Sequence, residues 1–310
     1  MKIGNQYETL LKILVTGGAG FIGRNLAEFL LEENQVVIYD DLSNSSKSEI
    51  LPLMEKGAKF VKGDILDYST LQKSSKNCNM IIHLAAKSGV ADSVLHPEIT
   101  MDVNVNGTEN VMRCCVQNKI KKIIFASSAS VYADSEKPIN EDSKTKPQSP
   151  YGKSKLEAEK IIKKYSAEIE INSIILRMFN VYGKGQNVKY AGVISKFVSC
   201  ILDDMPIQIN GDGEQTRDFV SISDVIDAFD CAIKNINGKR GNVYNIGFGK
   251  STTVNELAEI LTEISGKQIQ IIHKENTNEV RYSKADTSLA KKELGFFAKR
   301  KLEDELVKLF

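Results

Sequence analysis

The fold of this chain is decided by the stretch KILVTGGAGFIG, residues 12–23. Its first five residues form a short, largely apolar and β-branched run that predicts a buried strand. The glycines that follow break this run before an apolar helical pattern begins at Phe21. A strand, a glycine turn and a helix in this order form the phosphate-binding unit of a dinucleotide site. The glycine spacing here is G-x-x-G-x-x-G.

Each of the three glycines has its own predicted role. Gly17 takes the tight turn, and Gly20 leaves room for a pyrophosphate to approach the backbone. Gly23 lets the new helix pack against the sheet while its N-terminal N–H groups face the phosphates. By itself the triplet also fits a flexible strand-to-helix turn. The residues that follow it favour the dinucleotide site.

A carboxylate stands at the end of the second predicted strand. This strand covers residues 35–39 and is followed directly by Asp40, about 20 residues past the glycines. A carboxylate there accepts hydrogen bonds from both adenosine ribose hydroxyls and repels a 2′-phosphate, so the predicted dinucleotide is NAD. The alternative for Asp40 is a helix N-cap.

Size and composition exclude several classes of protein. A chain of 310 residues can form one large or two modest domains. Lys and Arg number 41 against 40 Asp and Glu, so no general attraction to nucleic acid or membranes is encoded. No stretch reaches the roughly 18 apolar residues of a membrane span, and the five scattered cysteines suit a reducing compartment. We therefore expect a cytoplasmic protein, and the three distant histidines predict no metal site.

Further strands alternate with helical patterns along the first half of the chain. They are predicted at residues 59–61, 80–84 and 122–126, with a helix at 98–118. This order predicts a doubly wound parallel sheet, the Rossmann arrangement, with its ligand beyond the carboxyl ends of the strands. The residues predicted to bind the cofactor there are Asn44, Asp64, Leu84, Ala85, Ala86 and Asn104, the last by bracing the loops from within its helix. Tight helix packing is the alternative for Ala85 and Ala86, and a cap or a satisfied polar group is the alternative for Asp64 and Asn104.

A tyrosine and a lysine follow the polar loop at 135–150. Tyr151 and Lys155 are four residues apart on one predicted helix and therefore project from the same face. An ammonium group beside a phenol stabilises phenolate and lowers its pKa, and bound NAD⁺ would act in the same direction. A Tyr-x-x-x-Lys pair is also common on solvated helices, but its place behind a dinucleotide motif favours catalysis.

Hydroxyl groups end the fifth predicted strand, where a substrate should lie. Ser128 is positioned to link a sugar hydroxyl to Tyr151 by hydrogen bonds. For Ser127 and Ser130, a capping or turn role is the favoured interpretation.

The motifs, taken together, resemble a known family. They occur in order and cover nearly the whole chain: TGGAGFIG, GDI, HLAA, NVNGT, SSASVY, YGKSK, LRMFNVYG, GDGEQTRDFVSISDV, YNIG and EVRYSKAD. The chain resembles the extended short-chain dehydrogenases/reductases of the NAD-dependent epimerase/dehydratase family, and within it most closely the UDP-glucose 4-epimerase branch.

This resemblance implies roles for individual residues. Ser128, Tyr151 and Lys155 fall on catalytic positions, while Asn180, Arg217 and Arg281 fall where relatives hold a sugar nucleotide. Guanidinium forks suit phosphate oxygens, although a surface ion pair is the alternative for Arg217. The positions that contact NAD in the family are Phe21, Ile22, Asp40, Asp64, Ile65, Ala85, Tyr151, Lys155 and Phe179.

Two positions depart from the pattern of the family. Ala133 replaces a glycine that often follows the Val-Tyr pair, and Glu275-Asn276 stands where several relatives carry an arginine. The second difference leaves the nucleotide base open, because phosphate binding would then rest mainly on Arg217 and Arg281.

The predicted organisation is a Rossmann domain at 1–177 and a smaller mixed α/β substrate domain at 178–310, with 221–250 returning to the first. The helices at 98–118 and 151–167 could pair in a homodimer or be covered within the monomer. The predicted activity is 4-epimerisation of a UDP-hexose through a transient 4-keto sugar. A dehydratase, decarboxylase or reductase on the same scaffold and a non-catalytic NAD-binding sensor are the alternatives.

Overall fold

The computed structural model describes residues 10–186, 192–275 and 280–310. Among the residues named above, Asn276 and the first residue of the EVRYSKAD motif, Glu279, lie outside these ranges. The strands are β1 (Lys12–Thr16), β2 (Gln35–Asp40), β3 (Lys59–Lys62), β4 (Met80–His83), β5 (Lys122–Ser128), β6 (Asn172–Met178), β7 (Asn180–Tyr182), β8 (Ile207–Asn210), β9 (Thr216–Ser221), β10 (Arg240–Ile246), β11 (Ser251–Thr253) and β12 (Ile271–Lys274). The helices are α1 (Phe21–Leu30), α2 (Leu51–Glu55), α3 (Tyr68–Ser74), α4 (Val90–Leu95), α5 (Pro97–Met101), α6 (Gly107–Gln117), α7 (Pro150–Ile169), α8 (Val193–Leu202), α9 (Ile222–Asn235), α10 (Val254–Ser265), α11 (Ser288–Leu294) and α12 (Leu302–Leu306).

Seven parallel strands form the central sheet, in the order β10-β6-β5-β4-β1-β2-β3. Helices cover both faces: α1, α9 and α11 pack over one apolar cluster, and α3, α6 and α7 pack over the other. Because both faces are covered, the strands are near-continuous apolar runs rather than alternating ones. The predicted Rossmann arrangement is therefore confirmed.

The predicted strands are confirmed, with small differences at their ends. The fifth strand runs on to Ser128, which places the serine pair at its carboxyl end. The helix predicted at 98–118 is instead divided into α5 and α6 by a wide, π-helical turn at Asp102–Asn106. Such turns interrupt helices where side chains make specific local contacts, as Asn104 does here.

The glycine turn brings three parts of the backbone into close contact. Gly17 has φ +69°, and a Cβ there would lie 2.6 Å from the backbone nitrogen of Ala85. A Cβ on Gly23 would lie 2.2 Å from the carbonyl oxygen of Gly17. At Gly20 the nearest atom, the carbonyl oxygen of Gly17, would be 3.3 Å away, so a methyl group there would be tight but would need only a small shift. Two of the three glycines are therefore required by packing within the chain itself.

A second group of elements packs around its own apolar cluster. It comprises a three-stranded sheet (β11-β9-β7), a two-stranded sheet (β12-β8) and the helices α8, α10 and α12. The chain then returns to the central sheet, because β10 pairs with β6 and α9 packs beside α1. The domain limits 1–177 and 178–310 stay a prediction.

The three turn glycines predict different effects of added methyl groups. Gly23→Ala should lower the free energy of unfolding by about 3 kcal/mol, because its methyl group would overlap the backbone of the turn. Gly20→Ala is the matched control in the same turn and should change stability by less than about 1 kcal/mol. Urea denaturation of both variants measures the difference. Equal stability of the two variants would contradict the close contact.

Candidate active site

A cavity of about 390 Å³ lies beyond the carboxyl ends of the central strands. It runs from the glycine turn across β1 to the start of α7. The predicted site residues that line it are Gly17, Gly20, Phe21, Ile22, Gly23, Asp40, Asn44, Asp64, Ile65, Leu84, Ala85, Ala86, Ser128, Tyr151, Lys155, Phe179 and Asn180. The fold thus brings together residues that are up to 163 positions apart in the sequence, from Gly17 to Asn180.

Asp40 fixes the glycine turn to the end of β2. Its carboxylate accepts hydrogen bonds from the backbone N–H of Ala19 at 3.0 Å and of Leu42 at 2.8 Å. The side chain is buried, and burial raises its pKa. Asp40 is therefore no helix N-cap, and it lies on the wall of the cavity, beside Ser43, Asn44 and Ser45.

Lys155 is buried beneath the cavity and bound to the sheet. Its Nζ donates to the carbonyl oxygen of Ala126 at 2.8 Å and lies 4.8 Å from the centre of the Phe125 ring. Burial lowers the pKa of Lys155 to about 7, and the carboxylate of Glu159 opposes this shift. The ammonium form of Lys155 is therefore less favoured than that of an exposed lysine.

The structure corrects one expectation about Tyr151. Burial raises the pKa of Tyr151, and the hydrogen bond with Ser128 only opposes this shift. The Nζ of Lys155 lies 5.9 Å from the centre of the Tyr151 ring. Because burial removes much of the phenol from water, desolvation raises its pKa, and the attraction to Lys155 that was expected to stabilise phenolate does not reverse this shift.

The serines at the end of β5 have different partners. Ser128 accepts a hydrogen bond from the backbone N–H of Ser130 at 3.1 Å, so it caps the short turn at Ala129–Val131. Ser127 instead donates to the carboxylate of Glu159 at 2.5 Å and is buried. The expected capping or turn role for Ser127 is therefore wrong, because its hydroxyl points into the sheet–helix interface.

Asn104 does not line the cavity, and its assignment as a cofactor contact is corrected by its burial. Its side-chain amide accepts from the backbone N–H of Lys87 at 2.8 Å and donates to the carbonyl oxygen of Lys87 at 3.1 Å and to Ser154 at 2.8 Å. It is 2% exposed. Asn104 therefore braces the loop after β4 against α7, with both of its amide donors and its carbonyl oxygen bound within the protein.

A second cavity, of about 680 Å³, adjoins the first. Both are lined by Asn180, Val181, Gln186 and Gly192. The cationic side chains among the described lining residues of the second cavity are Lys196, Arg217 and Lys274, and its aromatic ones are Tyr182, Phe197 and Phe219. The two cavities together form a long cleft, and the cationic side chains lie in the part formed by the second cavity.

The two predicted substrate arginines differ in placement. Arg217 lines the second cavity, and its Nη1 donates to the carbonyl oxygens of Thr216 and Val280, each at 2.8 Å. Arg281 lines neither cavity, because both of its terminal nitrogens bind the carboxylate of Asp212, at 2.6 and 2.9 Å. Arg281 therefore forms an ion pair at the protein surface.

Sequence reasoning missed several cavity residues. Lys87 follows Ala86 at the end of β4 and reaches across to Ser43, with Nζ and Oγ 3.3 Å apart. The rule that ligands lie beyond strand ends could have identified it. No local signal marks Lys196 or Lys274, which join the second cavity only through the packing of α8 and β12.

A family model matches most of the chain. The model of the NAD dependent epimerase/dehydratase family matches residues 13–247. The chain belongs to this family. Its site fits NAD: the three turn glycines line the cavity, and Asp40 presents a fixed carboxylate beside them.

Individual relatives show the range of the family. The chain is 42% identical over 266 residues to a putative UDP-glucose 4-epimerase of Methanocaldococcus jannaschii, covering 84% of this chain and 85% of that one. The structure of the UDP-glucose 4-epimerase of Thermotoga maritima with UDP-glucose matches with a TM-score of 0.91 at 33% identity, covering 96% and 97%. A dTDP-glucose 4,6-dehydratase of Streptomyces venezuelae with NAD bound matches with a TM-score of 0.91 at 27% identity, covering 96% and 95%.

The described ranges contain neither a membrane-spanning helix nor a cluster of metal-ligating side chains. No helix within them has both the length and the apolar character needed to cross a bilayer. No group of three or more His, Cys, Asp or Glu side chains within them is arranged to hold a metal ion.

A buried histidine supports the floor of the cavity. Thr16 Oγ1 lies 2.7 Å from Nδ1 of His83, and Thr108 Oγ1 lies 3.0 Å from Nε2. Since Thr108 donates its own proton to the carbonyl oxygen of Asn104, His83 must donate from Nε2 and accept at Nδ1. Burial lowers the pKa of His83 to about 3, so the ring is neutral.

This histidine should make stability fall on acidification. Its pKa is about 6.5 in the unfolded chain and lower in the folded one, so its contribution is complete above pH 6.5 and is lost as the pH falls toward 3. Between pH 6.5 and 5 the loss should be about 2 kcal/mol. His83→Gln should remove this part of the pH dependence, whereas His96→Gln, at an exposed position, should keep it. Urea denaturation at both pH values measures the change in the free energy of unfolding between them. The same change in His83→Gln as in the wild type would contradict the prediction.

Proposed function

We propose that this chain is an NAD-dependent sugar-nucleotide 4-epimerase that acts on a UDP-hexose through a transient 4-keto sugar. The observation that carries the proposal is that Tyr151, Ser128 and Lys155 line the same cavity as the glycine turn. That cavity adjoins a second one with cationic side chains. A dinucleotide and a sugar nucleotide could therefore meet at the tyrosine.

The glycine turn, Asp40 and the residues at the ends of β3 and β4 would hold NAD. The cofactor, when bound, supplies a reversible hydride acceptor for C4 of the sugar. Tyr151 takes the proton of the C4 hydroxyl as general base, directly or through Ser128. Lys155 provides positive charge near the phenol, and the charge of the oxidised nicotinamide adds to it, so that burial no longer dominates the pKa of Tyr151.

The second cavity would hold the nucleoside diphosphate. Arg217, Lys196 and Lys274 supply positive charge for the two phosphates in a chain whose formal charge is only +1. Phe219 and Phe197 offer apolar walls for the base. The sugar would then lie near Asn180 and Gln186, which both cavities share. An anchored nucleotide allows the keto sugar to turn over and accept hydride on its other face.

Acidic residues are distributed in a way that favours epimerisation over dehydration. Removal of water from C6 requires a proton donor and a base beyond the tyrosine. The carboxylates that line the first cavity among the described residues are Asp40, Asp41 and Asp64, all at the ends of β2 and β3. The turn after β5 offers Ser128, Ala129 and Ser130 instead. A 4,6-dehydratase, a decarboxylase and a reductase stay the alternative outcomes of the test below.

The assembly and location are proposed as a cytoplasmic homodimer. Exposed apolar side chains on α4 and α5 support a dimer: Val94 is 63% exposed, Leu95 74% and Ile99 55%. These helices lie against α7. All five cysteines are free thiols, which suits a reducing compartment.

The activity is tested by incubating the purified protein with UDP-glucose, UDP-N-acetylglucosamine and UDP-glucuronate in separate reactions without added reductant. The expected product is the C4 epimer of at least one of them. A 4-keto-6-deoxy product, loss of carbon dioxide or strict dependence on added NADH would replace the proposal by the corresponding alternative.

Tyr151→Phe tests the assigned base. This variant should lose at least about 10²-fold in kcat, because a general base contributes that much or more, while its affinity for NAD stays near that of the wild type. Tyr165→Phe is the matched control on the same helix, since its hydroxyl binds Glu109 away from the cavity. Near-normal turnover in Tyr151→Phe would remove Tyr151 from its role.

A further inference from the structure

A buried ion pair lies directly behind the proposed catalytic residues. Glu159 is 1% exposed and Arg177 is 3% exposed. The guanidinium group binds the carboxylate in a two-pronged way, with Nε–Oε1 at 2.8 Å and Nη2–Oε2 at 2.6 Å. Neither side chain lines a cavity. Burying two charges has a large desolvation cost, so a buried pair is weak evidence for a role in stability alone.

We propose that the Glu159–Arg177 pair is a positioning pair that sets both the placement and the electrostatic balance of Tyr151, Lys155 and Ser128. This inference rests on the proposed function of that site. Glu159 and Arg177 do not touch substrate or cofactor; they act through the residues that do.

The pair fixes the end of β5 to α7. Two successive residues of β5 are bound to two successive turns of the helix: the carbonyl oxygen of Ala126 accepts from Lys155 at 2.8 Å, and Ser127 donates to Glu159 at 2.5 Å. Ser128 is the next residue of this strand. The hydroxyl that meets Tyr151 is therefore held in place by bonds to the tyrosine's own helix.

Arg177 ties this arrangement to two further strands. It lies on β6, and its Nη1 donates to the hydroxyl of Tyr132 at 2.9 Å. Tyr132 in turn donates to the side-chain carbonyl of Asn245 on β10 at 2.7 Å. Groups on β5, β6, α7 and β10 therefore hold the two side chains of the pair in place. A surface-type ion pair with two mobile side chains would lack these bonds.

The charges around Lys155 come from few groups. On its own helix they are Tyr151 and Glu159, with Lys163 beyond, and β4 contributes the neutral His83. Arg177 on β6 is bound to Glu159, and the carboxyl group of Glu141 also interacts electrostatically with Arg177. Glu159 lies one helical turn from Lys155, so their side chains share a face. As long as both members are present, the pair is neutral overall. Removal of either leaves an uncompensated charge in a low-dielectric interior beside the catalytic residues.

Two substitutions of opposite charge test the proposal. Glu159→Gln leaves the positive charge of Arg177, so the pH profile of kcat/KM should move to lower pH. Arg177→Met leaves the negative charge of Glu159, so the profile should move to higher pH. Each shift should be about one pH unit, the size of effect that a nearby charge has at an effective dielectric constant of about 20. The double variant should return to within about 0.5 unit of the wild type.

A role in stability alone predicts another pattern. It would lower the denaturation temperature of both single variants without moving their profiles in opposite directions. Glu293→Gln is the control away from the cavity, because Glu293 on α11 also binds a cation and a tyrosine hydroxyl, Lys239 and Tyr244, in a partly exposed ion pair. It should lower stability and leave the pH profile unchanged. Shifts of equal sign in the two single variants, or none, would overturn the electrostatic part of the proposal.

A second readout does not require activity. In protein labelled with ¹³C at lysine Cε, the pKa of Lys155 follows from its NMR titration, with the signal assigned by its loss in Lys155→Met. The same opposite shifts are expected here. Opposite shifts without epimerase activity would refute the proposed function but support the electrostatic effect of the pair on Lys155. Epimerase activity without the shifts would refute that electrostatic effect.

Charge-conserving variants separate placement from charge and remain informative if the single variants above fail to fold. Glu159→Asp and Arg177→Lys keep both charges and disturb the fit. They should lower kcat at least tenfold while the midpoint of the pH profile and the affinity for NAD stay near those of the wild type. Unchanged kcat in both would overturn the positioning part of the proposal.

Discussion

The contact between the carbonyl of Gly17 and the Cα of Gly23 is the constraint on which the cofactor half of the site depends. No side chain fits there, since a Cβ on Gly23 would lie 2.2 Å from that oxygen. The absence of a side chain lets α1 begin directly above β1, with its N-terminal N–H groups facing the cavity. The same turn is bound to β2 through Asp40 and touches the backbone after β4 at Ala85. Three strand ends are thereby brought to one place.

The chemical half of the site depends on polar groups buried between sheet and helix. Lys155 and Glu159 both point inward from α7 and bind consecutive residues at the end of β5. These bonds hold the helix that carries Tyr151 in register with the strand that carries Ser128. Burial has a cost, visible in the lowered pKa of Lys155 and the raised pKa of Tyr151. We infer that cofactor charge and the buried ion pair together offset that cost.

Strand ends and glycine turns could be predicted from the sequence because they follow local rules of period and backbone conformation. These rules located β1 to β5 and most of the residues that line the first cavity. Asn104, Arg281 and the pKa of Tyr151 could not be predicted in this way. Asn104 is occupied by Lys87 and Ser154, and Arg281 by Asp212, partners far away in the chain. The pKa of Tyr151 depends on how deeply the phenol is buried. The spacing of four residues between Tyr151 and Lys155 carries no information about that burial.

The return of β10 to the central sheet has a consequence for synthesis. Strand β6 ends at Met178, but its outer neighbour begins only at Arg240. While the ribosome translates the intervening residues, the backbone N–H and C=O groups along one edge of β6 have no strand to pair with. Such an edge is a template for pairing with other chains. The nascent protein therefore passes through a stage at which chaperone protection matters most, and this stage ends when the strand at Arg240–Ile246 leaves the exit tunnel.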